Sequence, residues 1–409
     1  MTRRAAVVFL YRESKPLHRE ILEDFARAAR DAGCLSFCLA PRGTPLADAP
    51  VDGYRHYDPG PGHEEVLAGE VSAIAARHPV LRLLSTTEHD VELAAALREH
   101  AGIKGLRPEH SVHFRDKDAM TARVAELGIA TASWAMPHTL GTIERFAREV
   151  GYPLVLKPYD GISCRGTHKV RTRAELGEVW GLIRDRRHDY RAESFVAGEQ
   201  YHVDILLREG EVLFEAVSRY THTLLDNYHD YPVGSVALAG APAGPHNALL
   251  DAARAVVTGL GMRTGVTHTE FFLRQDGSLV FGETAARMPG AWAVPMYRAA
   301  FGISLPYVWA RSEIDPDYRP DIRSHQYAGG WFLVSGARGR ISRISSAREL
   351  MTLPDVVDAQ VWRAPGDHID APSELGGQNL GYAVVTGDSP EDVAANLGKA
   401  HELFTVVAA

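Results

Sequence analysis

The chain has 409 residues, a formal net charge of −8, 45% hydrophobic residues and 23% charged residues. This is the balance of a globular protein with two to four packed units, and mild acidity with no lysine- or arginine-rich run argues against nucleic acid or an anionic membrane as the main partner. The apolar run Ala5 to Leu10 is too short for a signal peptide and no 18-residue apolar segment follows. Together with an odd, low count of three cysteines, this makes the cytoplasm the expected location.

Ala5 to Leu10 reads as a buried strand, Arg19 to Arg30 as a helix, Leu35 to Ala40 and Leu81 to Ser85 as further strands, and Asp90 to His100 as a helix. Alternating strands and helices predict a small parallel α/β domain over residues 1–113. No G-x-G-x-x-G follows its first strand, which weakens a dinucleotide reading. Cys34 and Cys38 share one face of the second strand and, with no other pair nearby, suit a core better than a metal site. Arg115 to Asp118 opens a helix that ends at Leu127-Gly128. Strands are expected over Ala130 to Ala135 and Pro153 to Leu156, with a helix over Thr142 to Val150 between them. Lys157, at the end of a strand, leads into the glycine-containing loop Asp160–Thr167, where charge and backbone N–H groups can hold a phosphate, although such loops are also plain turns.

Strands follow over 192–196, 201–207 and 211–217, then a helix over Asn247 to Leu260 with Gly261 as its stop. After the polar connection 312–323, residues 327–409 hold several short strands and a helix over Pro390 to Phe404. The apolar stretch from Trp292 to Trp309 suits either a core or a subunit interface, such as that of a homodimer. Between Ser218 and Tyr231, Arg219 is a candidate carboxylate anchor, and the histidine- and tyrosine-rich remainder is either an acceptor pocket or a surface loop.

The most informative stretch is 266–290. Val266 to Leu273 and Leu279 to Phe281 flank Asp276-Gly277, a strong hairpin signal. A two-residue turn pairs Phe272 with Phe281 and Glu270 with Glu283. Two carboxylates in direct register, with β-carbons about 4.5–5.5 Å apart, repel each other unless a cation lies between them. Hard cations such as Mg²⁺ take oxygen ligands and share them with phosphates. Arg287, at the strand exit before Pro289-Gly290, can stabilise charge on a transferring phosphoryl group or anchor a carboxylate. The alternative is an exposed hairpin with two solvated glutamates. His268 shares a face with Glu270 and suits a supporting partner or a structural histidine.

In order and spacing, Lys117, Lys157, the 160–167 loop, Glu193-Ser194-Phe195-Val196, Glu199, Glu270, Glu283 and Arg287 resemble the ATP-grasp ligases of the carboxylate–amine type, most specifically from Lys117 to Gly290. That resemblance implies mixed α/β and α+β architecture. The expected units are an N-terminal α/β domain (1–113), a small lid subdomain (114–192), a large subdomain with the metal site (193–312) and a C-terminal α+β portion (313–409). It also implies ATP and Mg²⁺. Lys117 and Lys157 would contact the phosphates, and the loop containing Asp160, Gly161, Ser163, Cys164, Gly166 and Thr167 would form the lid. Glu193, Ser194, Phe195 and Val196 would meet the adenine, with Glu199 or Gln200 on the ribose. Glu270 and Glu283 would hold the metal, while Arg287 would touch the γ-phosphate and the substrate carboxylate. The implied reaction forms an acyl phosphate and then an amide from a small carboxylate and an amine. A carrier-protein thiol as acceptor and a non-catalytic nucleotide-binding module are the alternatives. The sequence departs from the family pattern in three respects: Ala285 stands where an asparagine is common, the lid reads Gly161-Ile162-Ser163-Cys164-Arg165-Gly166, and Gln200 replaces a frequent glutamate.

Overall fold

A computed structural model describes residues 3–12, 16–159, 161, 166–225, 233–239, 245–290, 292–323, 326–369 and 379–409. The N-terminal unit is the expected parallel sheet. Its strands are β1 (Ala6–Leu10), β2 (Leu35–Pro41), β3 (Gly53–Tyr57) and β4 (Val80–Ser85), in the order β3-β2-β1-β4. β3 escaped the sequence reading because Gly-Tyr-Arg-His-Tyr is polar and mostly exposed and gives no apolar period; the helix His63–Ala75 was missed too, although Leu67, Val71 and Ile74 recur on one face at helical spacing. Cys34 and Cys38 are buried free thiols, as the core reading expects, and burial pushes the Cys38 thiol up to about 12.

A second, four-stranded antiparallel sheet comprises β5 (Trp134–Ala135), β6 (Leu154–Pro158), β7 (His168–Val170) and β8 (Tyr190–Ser194), in the order β5-β8-β6-β7. Its helices start where hydroxyl side chains satisfy the free N–H groups of the first turn: Thr139 accepts from Thr142 N, and Thr172 from Glu175 N. The helix Lys117–Glu126 leads into this unit and is capped by Asp116, which accepts from the backbone N–H groups of Asp118 and Ala119.

The largest sheet has eight strands in the order β13-β12-β9-β10-β11-β14-β18-β16. They are β9 (Glu199–Arg208), β10 (Glu211–Tyr220), β11 (Gly234–Ala237), β12 (Gly265–Leu273), β13 (Leu279–Ala285), β14 (Tyr327–Leu333), β16 (Val356–Val361) and β18 (Gly381–Gly387). A small sheet of β15 (Gly339–Ile344), β17 (His368–Ile369) and β19 (Val406–Ala408) completes the C-terminal part. The sequence reading separates residues 313–409 from the metal-bearing part, yet β11 pairs with β14 and carries one sheet across that boundary. The apolar Trp292–Trp309 stretch proves to be core. Its helices Ala293–Phe301 and Leu305–Ile314 bury Met296, Tyr297, Ala300, Leu305 and Trp309 between this sheet and the N-terminal unit. No helix among the described residues is long and apolar enough to cross a membrane.

Gly198 connects the end of β8 to β9 where the hairpin tip crosses it. A β-carbon there would lie 2.3 Å from the Leu273 carbonyl oxygen, which is backbone and cannot swing aside. Gly198→Ala is therefore expected to cost about 1–3 kcal/mol, read as a lower urea midpoint at unchanged m-value.

Candidate active site

The hairpin does bring Glu270 opposite Glu283, but by a different route from the simple count. The turn is one residue longer than expected: Gly277 N–H donates to Arg274 O, with Gly277 at φ +81°, and the flanking pairs are Leu273–Leu279, Phe272–Val280 and Phe271–Phe281. A bulge at Gly282 then shifts the register by one and restores Glu270 to Glu283. The expected Phe272–Phe281 pairing is thus corrected, while the carboxylate pair stands.

Glu283 faces cations. Lys117 Nζ is 3.5 Å from Glu283 Oε2 and donates to the Gly161 carbonyl at 2.7 Å. Burial raises the Glu283 pKa, but Lys117, Lys157 and Arg287 outweigh that and hold it below the usual carboxylate range. Glu270 is held from three sides: Gln200 Nε2 donates to Oε2 at 2.9 Å, Tyr220 O–H donates to Oε1 at 2.8 Å, and His268 Nε2 stands 3.4 Å from Oε1. Burial would lower the His268 pKa, but the Asp204 carboxylate against its Nδ1 lifts it to about 9. Ala285 is buried opposite His268 and contributes no ligand oxygen.

Lys117, Lys157, Gln200, Tyr220, His268, Glu270, Glu283 and Arg287 line one cavity of about 240 Å³. One end is walled by Lys117, Lys157, Gly161, Thr167, Arg191 and the 193–196 segment. The Glu193 carboxylate is taken up by Lys157 Nζ at 2.8 Å and Arg191 Nε at 2.9 Å, so it fixes the strand-end lysine. Arg191 is fully buried, stacks 4.7 Å from the Trp134 ring and also binds Asp118 at 2.8 Å. Beyond the glutamates, Arg287 Nε donates to Glu88 Oε2 at 2.8 Å and its Nη1 to the Met288 carbonyl at 2.8 Å. Glu88 follows the carboxyl end of β4, where open parallel sheets gather ligand-facing groups. It reaches across from the N-terminal unit and also accepts from Arg115 at 2.8 Å.

Three expected residues among those described, Gly166, Glu199 and Arg219, do not line the cavity. Arg219 pairs with Glu199 at 3.6 Å and Glu391 at 3.8 Å, and Glu199 also accepts from Tyr201 O–H. Strand alternation is the reason for the last two: Gln200 and His202 on β9 and Tyr220 on β10 face the cavity, so Glu199 and Arg219 face away. Arg219, expected as a carboxylate anchor, and Glu199, expected with Gln200 as a candidate ribose contact, line an adjoining cavity with Gln200 and Tyr220, whereas Gln200 reaches both cavities and donates to Glu270. Asp160, Ser163 and Cys164, and the stretch Asp226 to Tyr231, lie outside the described residues.

Sequence reasoning missed Glu88, His202, Asp204 and Tyr297. A signal existed for two of them: His202-x-Asp204 alternates with apolar residues on β9 as His268-x-Glu270 does on β12, and the register sets His268 against Asp204 and Glu270 against His202.

The arrangement defines a class. Paired carboxylates on a hairpin, two lysines at the start of a helix and the end of a strand, and an arginine at the hairpin exit surround a cleft between two antiparallel sheets. Residues 122–294 match the ATP-grasp domain model, and residues 331–409 match that of L-amino acid ligase C-terminal domain 2. By the first match the chain contains an ATP-grasp domain. It is 24% identical over 301 residues to the L-arginine-specific L-amino acid ligase of Bacillus subtilis, covering 71% of this chain and 72% of that protein. It is 22% identical over 266 residues to the alanine–anticapsin ligase of Bacillus subtilis, covering 59% and 56% respectively. The crystal structure of the L-amino acid ligase from Bacillus licheniformis has the same fold over the full length of both chains, with a TM-score of 0.81 at 19% identity.

Proposed function

We propose that this chain is an ATP-dependent carboxylate–amine ligase that joins amino acids, with ADP and phosphate as the other products. The observation that supports it most is the convergence of Glu270 and Glu283 with Lys117, Lys157 and Arg287 in one cavity. The donor set fits Mg²⁺, since paired carboxylate oxygens with room for phosphate oxygens are what that ion takes, and magnesium bound there would neutralise charge on the phosphates. Lys117 and Lys157 hold phosphate oxygens. Arg287, kept in place by Glu88, faces the carboxylate and the γ-phosphoryl group. One oxygen of the substrate carboxylate attacks the γ-phosphorus and ADP leaves. The amine then attacks the carbonyl carbon, inorganic phosphate leaves, and the amine gives up a proton.

The cavity end beyond Arg287 is formed by Leu224, Leu225, Val233, Trp292 and Phe332. Trp292 and Phe332 meet edge to face with ring centres 4.6 Å apart. Such a wall suits an apolar side chain on the acid that is activated. The test is ADP release with Mg-ATP across amino acids singly and in pairs, with mass detection of products. ADP release that needs two amino acids, with a product mass equal to their sum less water and leucine, methionine or phenylalanine as the acid, is the expected result. Turnover that requires a carrier-protein thiol, or no turnover with any pair, would overturn the amide reading.

A further inference from the structure

The cluster His202, Asp204, His268 lies behind the metal carboxylates, and its three ligand-type atoms are within 4.8 Å of one another. It is not built as a second metal site, because those atoms already satisfy each other. Asp204 is fully buried; its Oδ1 accepts from His268 Nδ1 at 2.7 Å, and its Oδ2 accepts from His202 Nδ1 at 2.8 Å and from Tyr297 O–H. An ionised carboxylate only accepts hydrogen bonds, so both imidazoles carry a proton on Nδ1 and turn Nε2 outward. His202 Nε2 meets Ser235 Oγ at 3.0 Å, and Ser235 Oγ accepts from Trp292 Nε1 at 3.0 Å. His268 Nε2 faces Glu270 Oε1 at 3.4 Å.

A single buried anion therefore orients two imidazoles, one toward the Glu270 carboxylate and one toward Ser235, which accepts from the tryptophan that lines the cavity. We infer that Asp204 is a positioning residue: through His268 it holds the Glu270 carboxylate in the orientation that binds the divalent cation. This rests on the metal reading of Glu270 and Glu283 given above. Glu270 has two further supports, Tyr220 and Gln200, and the Gln200 carbonyl is in turn held by the Leu224 N–H at 3.0 Å. The imidazole, pinned at Nδ1, is the support that ties Glu270 to the buried Asp204 carboxylate. Partners of this kind behind a metal ligand change metal affinity about 10–100-fold when removed.

The test measures metal binding apart from turnover. Mn²⁺ is titrated calorimetrically into the full chain with a non-hydrolysable ATP analogue, for the parent and for Asp204→Asn, His268→Gln and Ser235→Ala. Nucleotide affinity is measured separately in chelator, and folding is checked by circular dichroism. Asp204→Asn is expected to weaken Mn²⁺ binding about 10–100-fold at unchanged nucleotide affinity. His268→Gln, which leaves Asp204 bonded to His202 and Tyr297, is expected to do the same if Asp204→Asn fails to fold. Ser235→Ala disturbs the far side of the chain without touching Glu270, and is expected to stay within about threefold of the parent. Mn²⁺ affinity within twofold of the parent in a folded Asp204→Asn or His268→Gln variant overturns the positioning role alone. So does an equal loss in Ser235→Ala, because that would mark a general loosening. A parent protein that takes up no Mn²⁺ in the presence of nucleotide overturns the metal reading and the positioning role together.

Discussion

A Glu283→Ala variant is expected to lose ATP turnover by on the order of 10³-fold or more while remaining folded. Glu283 is where the cations of the site converge, with Lys117 at 3.5 Å and with Lys157 and Arg287 holding its pKa down. On the proposed metal reading, removing it takes away a ligand of the ion, whose contribution to transition-state charge stabilisation is several kcal/mol, about the size of that loss. It also leaves three positive groups without their central anion, so ATP binding in the absence of metal should hold steady or tighten. The measurement is phosphate release at saturating Mg-ATP, alongside nucleotide affinity in chelator. Turnover within tenfold of the parent would sink the assignment of the hairpin carboxylates as the metal site.

The second large effect is on stability. Asp204→Ala is expected to cost about 3–5 kcal/mol, because it strips the partner from two buried imidazoles and a buried tyrosine hydroxyl at once. Burial alone raises the Asp204 pKa, but His268 and His202 overcome it and depress the value below the carboxylate range. A depressed folded-state pKa stabilises the native state above the unfolded-state value near 3.9 and loses that contribution as pH falls through the folded value. Urea unfolding of the parent should therefore weaken steeply as pH drops below about 4, and the Asp204→Ala variant should show a shallower decline there. Parallel acid profiles for the two proteins would remove Asp204 as a source of acid sensitivity.

Much of the site was legible because it depends on short spacings. The hairpin put Glu270 and Glu283 together under the simplest turn and under the real one, since the longer turn and the Gly282 bulge cancel. Side-chain alternation has a period of two, so a single uncompensated slip would have sent one glutamate to the other face. The same period explains the failures at Glu199 and Arg219. Their residue types suited the chemistry, but which face of β9 and β10 looks into the cavity depends on how those strands sit in the eight-stranded sheet.

What the sequence determined by itself was local: the helix Lys117–Glu126 with its aspartate cap, Lys157 at the end of β6, the register-paired glutamates, and Arg287 at the hairpin exit. Each needs only turn chemistry, capping and strand period over a dozen residues or so. The tertiary structure decided how those pieces are held. Glu88 lies 199 positions from the Arg287 it fixes, and Asp204 lies 64 from His268 and 93 from Tyr297. No periodicity connects residues so far apart. They meet because burying a charge is costly unless its partners are in place, and only the packed sheets bring those partners to it.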